Sequence, residues 1–370
     1  MAVTIDGTTG IDKVQDGSIV YADLDSNIPL GTKNIIINGD MRIAQRGNQT
    51  GVTAYQYINV DRYFINMINL GTWSFTQSTD VPTGQGFGKS LKIDCTTADA
   101  SPAAGDNFYL SMQHEGQNIQ HLKKGTSSAE TTTLSFWIKS NKTGNYVVEL
   151  WDRTNDRHIA VLKTISAANT WEKHICTFVG DTSGTIASDN ARSIMISWAF
   201  DSGTNFTSGT LPTSWASRVD ANRFVGTNLG LGDSTSNEVL LTGVQWELGE
   251  NATPFENRSY GTELALCQRY FYKTNETNTT GCGGLNGSMY GTAALSFATN
   301  HPVVMRAAPT LTRGGTSDTM YVPNVDGAMS FTITTSNISA NAAWFQAGGT
   351  GGGVGYPCHY RGQASWSAEL

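Results

Sequence analysis

The chain has 370 residues, a formal net charge of −7, and only 15% charged residues. Its basic residues never cluster beyond a pair such as Lys123-Lys124, so the clustered positive charge that nucleic-acid binding requires is missing. No segment approaches the ~18 apolar residues of a membrane-spanning helix, so membrane insertion is not expected. The five cysteines are scattered without a Cys-x-x-Cys pair, which predicts reduced, mostly buried thiols and no zinc site.

Residues 1–33 are rich in turn-forming residues and poor in large apolar ones. Such a stretch cannot bury a core by itself. Two interpretations remain open: an attachment arm laid on a partner protein, or a loose terminus.

Residues 34–258 are predicted to form a jelly-roll β-sandwich. A buried strand is expected to start at Asn34 and to end at Asn38-Gly39, and further strand-like segments follow at short, even intervals with turn residues between them. The alternation of Leu134, Phe136 and Ile138 with Ser135 and Trp137 is typical of a half-buried strand. Many short strands without intervening helices favour an all-β fold of two antiparallel sheets. The expected strands are 57–68, 71–77, 90–95, 108–114, 131–139, 145–151, 158–164, 171–179, 193–200 and 238–247.

A domain boundary is predicted at 242–261, where the period of the apolar residues changes. Val244, Trp246 and Leu248 alternate as in a strand, and Pro254 ends the pattern. Residues 263–273 fit either a short helix or an irregular strand. Beyond them, 259–370 read as a smaller β-domain whose low content of large apolar residues suggests assembly with other copies.

No nucleophile, metal-ligand or phosphate-loop motif is present, so no catalytic residues are assigned and the chain is not expected to be an enzyme. Glu149, Asp152 and Asp156 surround one predicted hairpin. Paired carboxylates can cleave glycosidic bonds, but Asp is also a common turn former, and that interpretation is favoured here.

Aromatic residues on a polar scaffold indicate glycan binding, because an indole packs against the apolar face of a sugar ring. The candidates are Trp151 with Asp152 and Arg153 at a strand end, Trp215 in a long loop, and Trp73. For each tryptophan the competing interpretation is a core position, since Trp is highly buried on average. That alternative is strongest for three others, namely Trp137, Trp198 and Trp246.

Several strings in order along the chain resemble a family of bacteriophage virion fibre proteins. They are NIIINGDMRIAQRG at 34–47, DRY at 61–63, TLSFW at 133–137, TWE at 170–172, TGVQWELG at 242–249, ATPFE at 252–256, ELALCQRY at 263–270, PVVMRAAP at 302–309 and AEL at 368–370. The string IDGTTGI at 5–11 is similar to the arm by which phage fibres join the particle.

The resemblance implies a tail fibre or head-decorating fibre, usually a homotrimer, whose first domain is like a carbohydrate-binding module. Residues 1–33 would contact other virion proteins, and the β-domains would bind host-surface polysaccharide. The protein would be made in the bacterial cytoplasm and released in the virion by lysis. The alternatives left open are a capsid decoration protein with a structural role only, and a tailspike polysaccharide depolymerase.

The resemblance also implies residue roles. Modules of this type often hold a structural calcium, which would lie near Asp40 and Glu247, although Arg42 stands where the family has an acidic residue. Apart from this calcium, no cofactor is expected. The remaining family positions are interpreted as structural residues of the domain junction, with Arg46 and Arg269 bonding buried carboxylates or carbonyls. These positions are Arg46, Trp246, Glu247, Phe255, Cys267, Arg269 and Tyr270.

Overall fold

A computed structural model describes residues 33–274, 286–292, 294–314, 320–322, 327–329, 331–349, 354–360 and 363–370. The predicted attachment arm lies outside the described residues, except for Lys33. Within the described part of the chain, no helix is long and apolar enough to cross a membrane. Four cysteines are free and buried, namely Cys95, Cys176, Cys267 and Cys358.

The first part of the chain consists of strands joined by turns and short helical segments, and the prediction of an all-β jelly-roll sandwich is confirmed. The strands are β1 (Gln49–Val52), β2 (Gln56–Tyr57), β3 (Tyr63–Ile68), β4 (Thr72–Ser78), β5 (Ser90–Thr97), β6 (Asn107–Glu115), β7 (Thr132–Ser140), β8 (Gly144–Asp152), β9 (Arg157–Ile165), β10 (Glu172–Phe178), β11 (Arg192–Ser202), β12 (Ala216–Ser217) and β13 (Glu238–Leu248). The helix α1 (Thr204–Thr207) and four 3₁₀ turns lie between strands, the turns at Gly116–Asn118, Gln120–Leu122, Asp220–Asn222 and Leu231–Asp233.

These strands form two antiparallel sheets. Sheet A has the order β1-β4-β5-β13-β7-β10, and sheet B has the order β12-β9-β8-β11-β6-β3-β2. Side chains of a strand point alternately to its two faces, and the inward ones of both sheets share a single core. Phe136 and Trp246 of sheet A and Trp198 of sheet B are among its fully buried members.

The buried strand predicted to end at Asn38-Gly39, within the segment 34–41, is wrong. The segment forms turns instead, because Asn38 and Met41 both adopt a left-handed backbone conformation with φ of 61°. It lies along β13 through two backbone hydrogen bonds, from Ile35 N to the Trp246 carbonyl at 2.8 Å and from Val244 N to the Gly39 carbonyl at 2.9 Å.

Residues 263–273, for which the sequence left a short helix or an irregular strand open, contain a helix and then a strand. Helix α2 (Tyr260–Gln268) begins at Ser259, whose hydroxyl accepts a hydrogen bond from Thr262 N, and strand β14 (Phe271–Lys273) follows it. The later strands are β15 (Asn286–Gly291), β16 (Ala294–Asn300), β17 (Thr310–Gly314), β18 (Met320–Val322), β19 (Gly327–Met329), β20 (Phe331–Ile338), β21 (Ala342–Gly349), β22 (Pro357–Tyr360) and β23 (Gln363–Ser367).

The C-terminal strands form a second β-unit with its own core. Sheet C has the order β14-β23-β17, and sheet D has the order β19-β18-β22-β15-β16-β21-β20. Tyr272 and Trp366 of sheet C pack with Phe345 and Tyr360 of sheet D. In sheet C, β23 lies between β14 and β17.

Candidate functional site

The β8–β9 hairpin holds the first glycan-binding candidates, at the edge of the outer face of sheet B. On β8, Val148 and Leu150 point into the core, so Val147, Glu149 and Trp151 point outward. The outer face is partly covered, because the chain that follows β11 folds over it. Phe206, Leu211 and Phe224 of that segment pack on a small apolar cluster, whose strand residues are Tyr109, Val147, Trp151, Ala160, Met195 and Ala199.

Trp151 is only 8% exposed, and arginines surround its ring. The Cζ atoms of Arg153, Arg218 and Arg223 lie 3.8, 4.0 and 4.8 Å from the ring centroid. Its indole N–H donates to Asp156 Oδ1 at 3.1 Å. The prediction that Trp151 stacks on a sugar is wrong, because guanidinium groups already occupy that position.

Asp152 and Trp73 are also wrong as glycan contacts, because both are fully buried. Asp152 accepts a hydrogen bond from Thr154 N at 2.9 Å and lies 2.5 Å from Lys124 Nζ. It stabilises the turn, as the alternative interpretation held. Trp73 stacks in the core on Phe108, with ring centroids 3.9 Å apart.

Trp215 and Arg153 retain exposed surface. Trp215 is half-buried and donates its indole N–H to the Val179 carbonyl at 2.7 Å. Arg153 is half-buried above Trp151. For both residues a role in ligand binding stays a prediction.

The carboxylates of the hairpin hold the structure together. Glu149 is fully buried, with Arg223 Nη2 at 2.7 Å from its Oε2 and His158 Nδ1 at 2.9 Å from its Oε1. Burial alone would raise the pKa of Glu149, but the Arg223 guanidinium and the His158 bond lower that pKa below its ordinary value. Glu149 and Asp152 both form ion pairs with basic side chains. This hairpin therefore does not present a free carboxylate pair for glycoside cleavage.

Asp40 and Glu247 do not fit the calcium that the resemblance implies. Glu247 accepts hydrogen bonds from Thr253 N at 2.9 Å and from Thr253 Oγ1 at 2.6 Å, while Asp40 lies 2.7 Å from Arg42 Nε. Calcium takes six to eight oxygen ligands. In the part of the chain that the structure describes, no group of three or more His, Cys, Asp or Glu is placed to hold a metal ion.

Several family positions lie where the sandwich meets the C-terminal unit. Arg46 donates to Glu369 Oε1 at 2.9 Å, and its guanidinium lies 3.6 Å from the centroid of the Phe271 ring. Arg269 donates to both oxygens of Glu115, at 3.0 and 2.8 Å. Glu115 is fully buried, so this pairing joins α2 to the end of β6.

The other family positions divide between the junction and the sandwich. Tyr270 is buried and donates its hydroxyl to Glu115, and Cys267 is buried beside it, where burial raises the pKa of its thiol. Trp246 belongs to the core of the sandwich. Phe255 instead lies on the outer face of sheet A, edge-on to Phe87, with ring centroids 5.1 Å apart.

The two rings border a cleft of about 230 Å³ on that face. Trp137 on β7 forms part of its wall, because Phe136 and Ile138 point into the core and Trp137 therefore points out. Gly243 has φ of 63°, and a Cβ atom there would lie 2.6 Å from the Phe87 ring. The polar wall of the cleft includes Gln85, Ser135, Lys173, Thr253 and Asn257.

The cleft combines partly exposed aromatic rings with amide, hydroxyl and ammonium groups. Rings of this kind pack on apolar faces, and the polar groups bond hydroxyls, so the cleft suits a saccharide. Trp137 was expected in the core, so this surface was not recognised from the sequence. The signal was nevertheless present, since Trp137 alternates with the apolar residues of β7.

Comparisons with known proteins show only distant similarity. No family model matches the sequence, and no curated protein matches it. One similar solved structure is the enzymatically active domain of tailspike protein 4 of bacteriophage CBA120, with a TM-score of 0.30 and 13% identity; the match covers 58% of this chain and 21% of that chain.

Two further structures are carbohydrate-binding modules. TmCBM61, solved with β-1,4-galactotriose, has a TM-score of 0.29 and 8% identity over 60% of this chain and 100% of its own. A family 11 module from Clostridium thermocellum, solved with a β-1,3-1,4-mixed-linked tetrasaccharide, has a TM-score of 0.27 and 11% identity over 56% of this chain and 98% of its own. Likeness this distant carries no argument about function, and the sandwich follows from the strand pairing itself.

Proposed function

We propose that this chain is a fibre protein of a bacteriophage particle, held by residues 1–33, that binds host-surface polysaccharide without cleaving it. The fibre part of the proposal is supported by the ordered family strings between residues 34 and 370. The observation that carries the glycan-binding part is the cleft of sheet A, where Trp137, Phe87 and Phe255 border polar side chains.

The cleft is tested with the full-length protein and Trp137→Ala, in binding assays against an array of bacterial surface glycans. We expect the substitution to lower affinity at least about tenfold, because a central aromatic contact is lost. Trp344→Ala is the matched control, since Trp344 is a 38% exposed tryptophan of β21 in sheet D. Glycan binding that is absent in the wild type, or unchanged in Trp137→Ala, would contradict the proposal.

Binding without cleavage is supported by the engaged carboxylates of the β8–β9 hairpin, Glu149 and Asp152. We expect no new reducing ends when the protein is incubated with the polysaccharide that it binds. Release of reducing ends would identify a depolymerase instead.

Antibody labelling of virions then distinguishes a tail fibre from a capsid decoration protein by its position on the particle.

Homotrimer formation is part of the same proposal. It rests on the family resemblance and on a C-terminal core that contains several alanines, including Ala343, Ala347 and Ala364. Light scattering should give a mass about three times that of the 39.8 kDa chain. A mass near that of one chain would refute it.

A further inference from the structure

Three arginines surround Trp151 at the end of the β8–β9 hairpin, and a fourth, Arg192, begins the neighbouring strand β11. Arg153, Arg218 and Arg223 contact the indole ring. Arg192 begins β11 beside them, since Arg153 N donates to the carbonyl of the adjacent residue, Ser193, at 2.8 Å. This group, called the arginine cluster below, is a local concentration of positive charge on a chain whose net charge is −7.

The carboxylates near the arginine cluster neutralise only two of its members. Arg223 pairs with the buried Glu149 at 2.7 Å. Arg218 pairs with Asp220 and lies 4.0 Å from the exposed Asp156. Among the residues that the structure describes, Arg153 and Arg192 do not form a salt bridge with any carboxylate. Within the described ranges, the guanidinium groups of Arg153 and Arg192 are therefore left without a carboxylate partner.

Arg153 packs on Trp151, and the charges of the neighbouring arginines destabilise its positive charge there. The Cζ atom of Arg153 lies 3.8 Å from the centroid of the Trp151 ring, and the Arg153 side chain is half-buried. Burial and the positive charges of Arg192, Arg218 and Arg223 lower the pKa of Arg153 below its ordinary value. A bound anion would relieve this repulsion, and packing on the indole limits the freedom that the guanidinium would lose on binding.

We propose that Arg153 and Arg192, supported by Trp151, bind a carboxylate group of an acidic polysaccharide. A guanidinium matches the two oxygens of a carboxylate through parallel hydrogen bonds. The inference rests on the proposed binding of host polysaccharide and names its class, a uronate-containing chain. It adds a second binding site on sheet B, whereas the aromatic cleft belongs to sheet A.

The test is calorimetric titration of the full-length protein with a polygalacturonate oligomer at low ionic strength. We expect Arg153→Ala and Arg192→Gln each to weaken binding about tenfold, and Arg153→Lys to recover only part of it, because an ammonium lacks the planar fork. The methyl ester of the same oligomer should not bind at this site. Lys89→Gln, which removes one positive charge on the sheet A side of the chain, should bind like the wild type.

Three results would overturn the proposal. They are an unchanged affinity in both arginine variants, equal binding of the oligomer and its methyl ester, and binding of sodium sulfate without binding of the oligomer, which would indicate a free-anion site. Arg192 is exposed, so its variant remains informative if Arg153→Ala fails to fold. The two proposals fail separately: the arginine variants are measured with the oligomer, whereas Trp137→Ala tests the cleft with the array glycans.

Discussion

Trp73 and Trp137 lie on strands of the same sheet, yet they face opposite sides of it. Trp73 is fully buried on β4, whereas Trp137 is partly exposed on β7 beside the cleft. Trp151 shows a third outcome, because it faces outward and is still covered by arginines. The function of a tryptophan in this protein therefore depends on its face and on what covers that face, and residue type alone does not decide it.

A buried histidine gives a prediction at the same scale. His114 is 6% exposed on β6, edge-on to Trp246, with ring centroids 5.1 Å apart. Burial, and then the Arg62 guanidinium, lower its pKa from 6.5 to about 3. Between these two values the unfolded chain binds a proton that the folded chain does not, so His114 makes the free energy of unfolding fall as pH falls.

His114→Phe keeps a ring in this place and removes the titration. We expect its free energy of unfolding to fall less steeply than that of the wild type between about pH 6 and pH 4, by up to about 1.4 kcal/mol per pH unit. Urea denaturation at several pH values measures both slopes. Identical slopes would contradict the burial of an uncharged imidazole.

Among the elements, the turn segment 34–41 shows how non-strand chain can be part of a sandwich. Its backbone bonds to β13, and the side-chain amide of Asn38 donates to the carbonyls of Ile43 and Asp61 at 2.8 and 3.1 Å. The contact with β13 is so close that a Cβ atom on Gly39 would lie 2.1 Å from the Val244 carbonyl oxygen. A side chain at residue 39 would therefore force the backbone of the segment or of β13 to move.

Gly39→Ala should therefore lower the free energy of unfolding by about 2 kcal/mol, because overpacking forces the segment away from β13. Gly261→Ala is the matched control, since Gly261 lies in α2 and a Cβ atom there meets nothing within 4 Å. The control should be neutral or slightly stabilising, as alanine favours a helix. Chemical denaturation of both variants checks this, and equal effects would argue against the close contact.

In the whole molecule, Glu369 and Leu370 join the two cores. The carboxylate of Glu369 binds Arg46 and Arg62 of the sandwich, and Tyr57 donates its hydroxyl to the Leu370 carbonyl at 2.8 Å. Arg62 is 2% exposed and lies 3.5 Å from the centroid of the Tyr270 ring. The Glu369 carboxylate thus compensates positive charge that the fold has removed from water.

Glu369→Gln leaves Arg62 without its carboxylate and should lower the free energy of unfolding by about 3 kcal/mol. The C-terminal unit should then unfold at lower urea than the sandwich, giving two transitions by tryptophan fluorescence. The control is Glu250→Gln, which changes the same charge at an exposed position and should have little effect. A stable variant with one unchanged transition would show that Glu369 does not join the units.

The strands could be predicted from the sequence because alternation is a local property of the chain. Residues 132–140, 144–152 and 238–248 fall almost where the pattern of apolar residues indicates. The segment 34–41 was predicted wrongly, because its apolar residues resemble those of a strand while Asn38 and Met41 adopt a left-handed backbone conformation. The helix over Tyr260–Gln268 stayed ambiguous, because too few residues separate it from β14.

The sequence by itself determined the all-β class and most of the strand positions, because both follow from periods of a few residues. Only the tertiary structure determined which residues meet in the two proposed binding sites. The segment after β11 covers Val147 and Ala160, the arginines meet at Trp151, and Phe87 meets Phe255 across Trp137. Those neighbours are far apart along the chain. Strand register and loop packing bring them together, and neither is encoded in any local period.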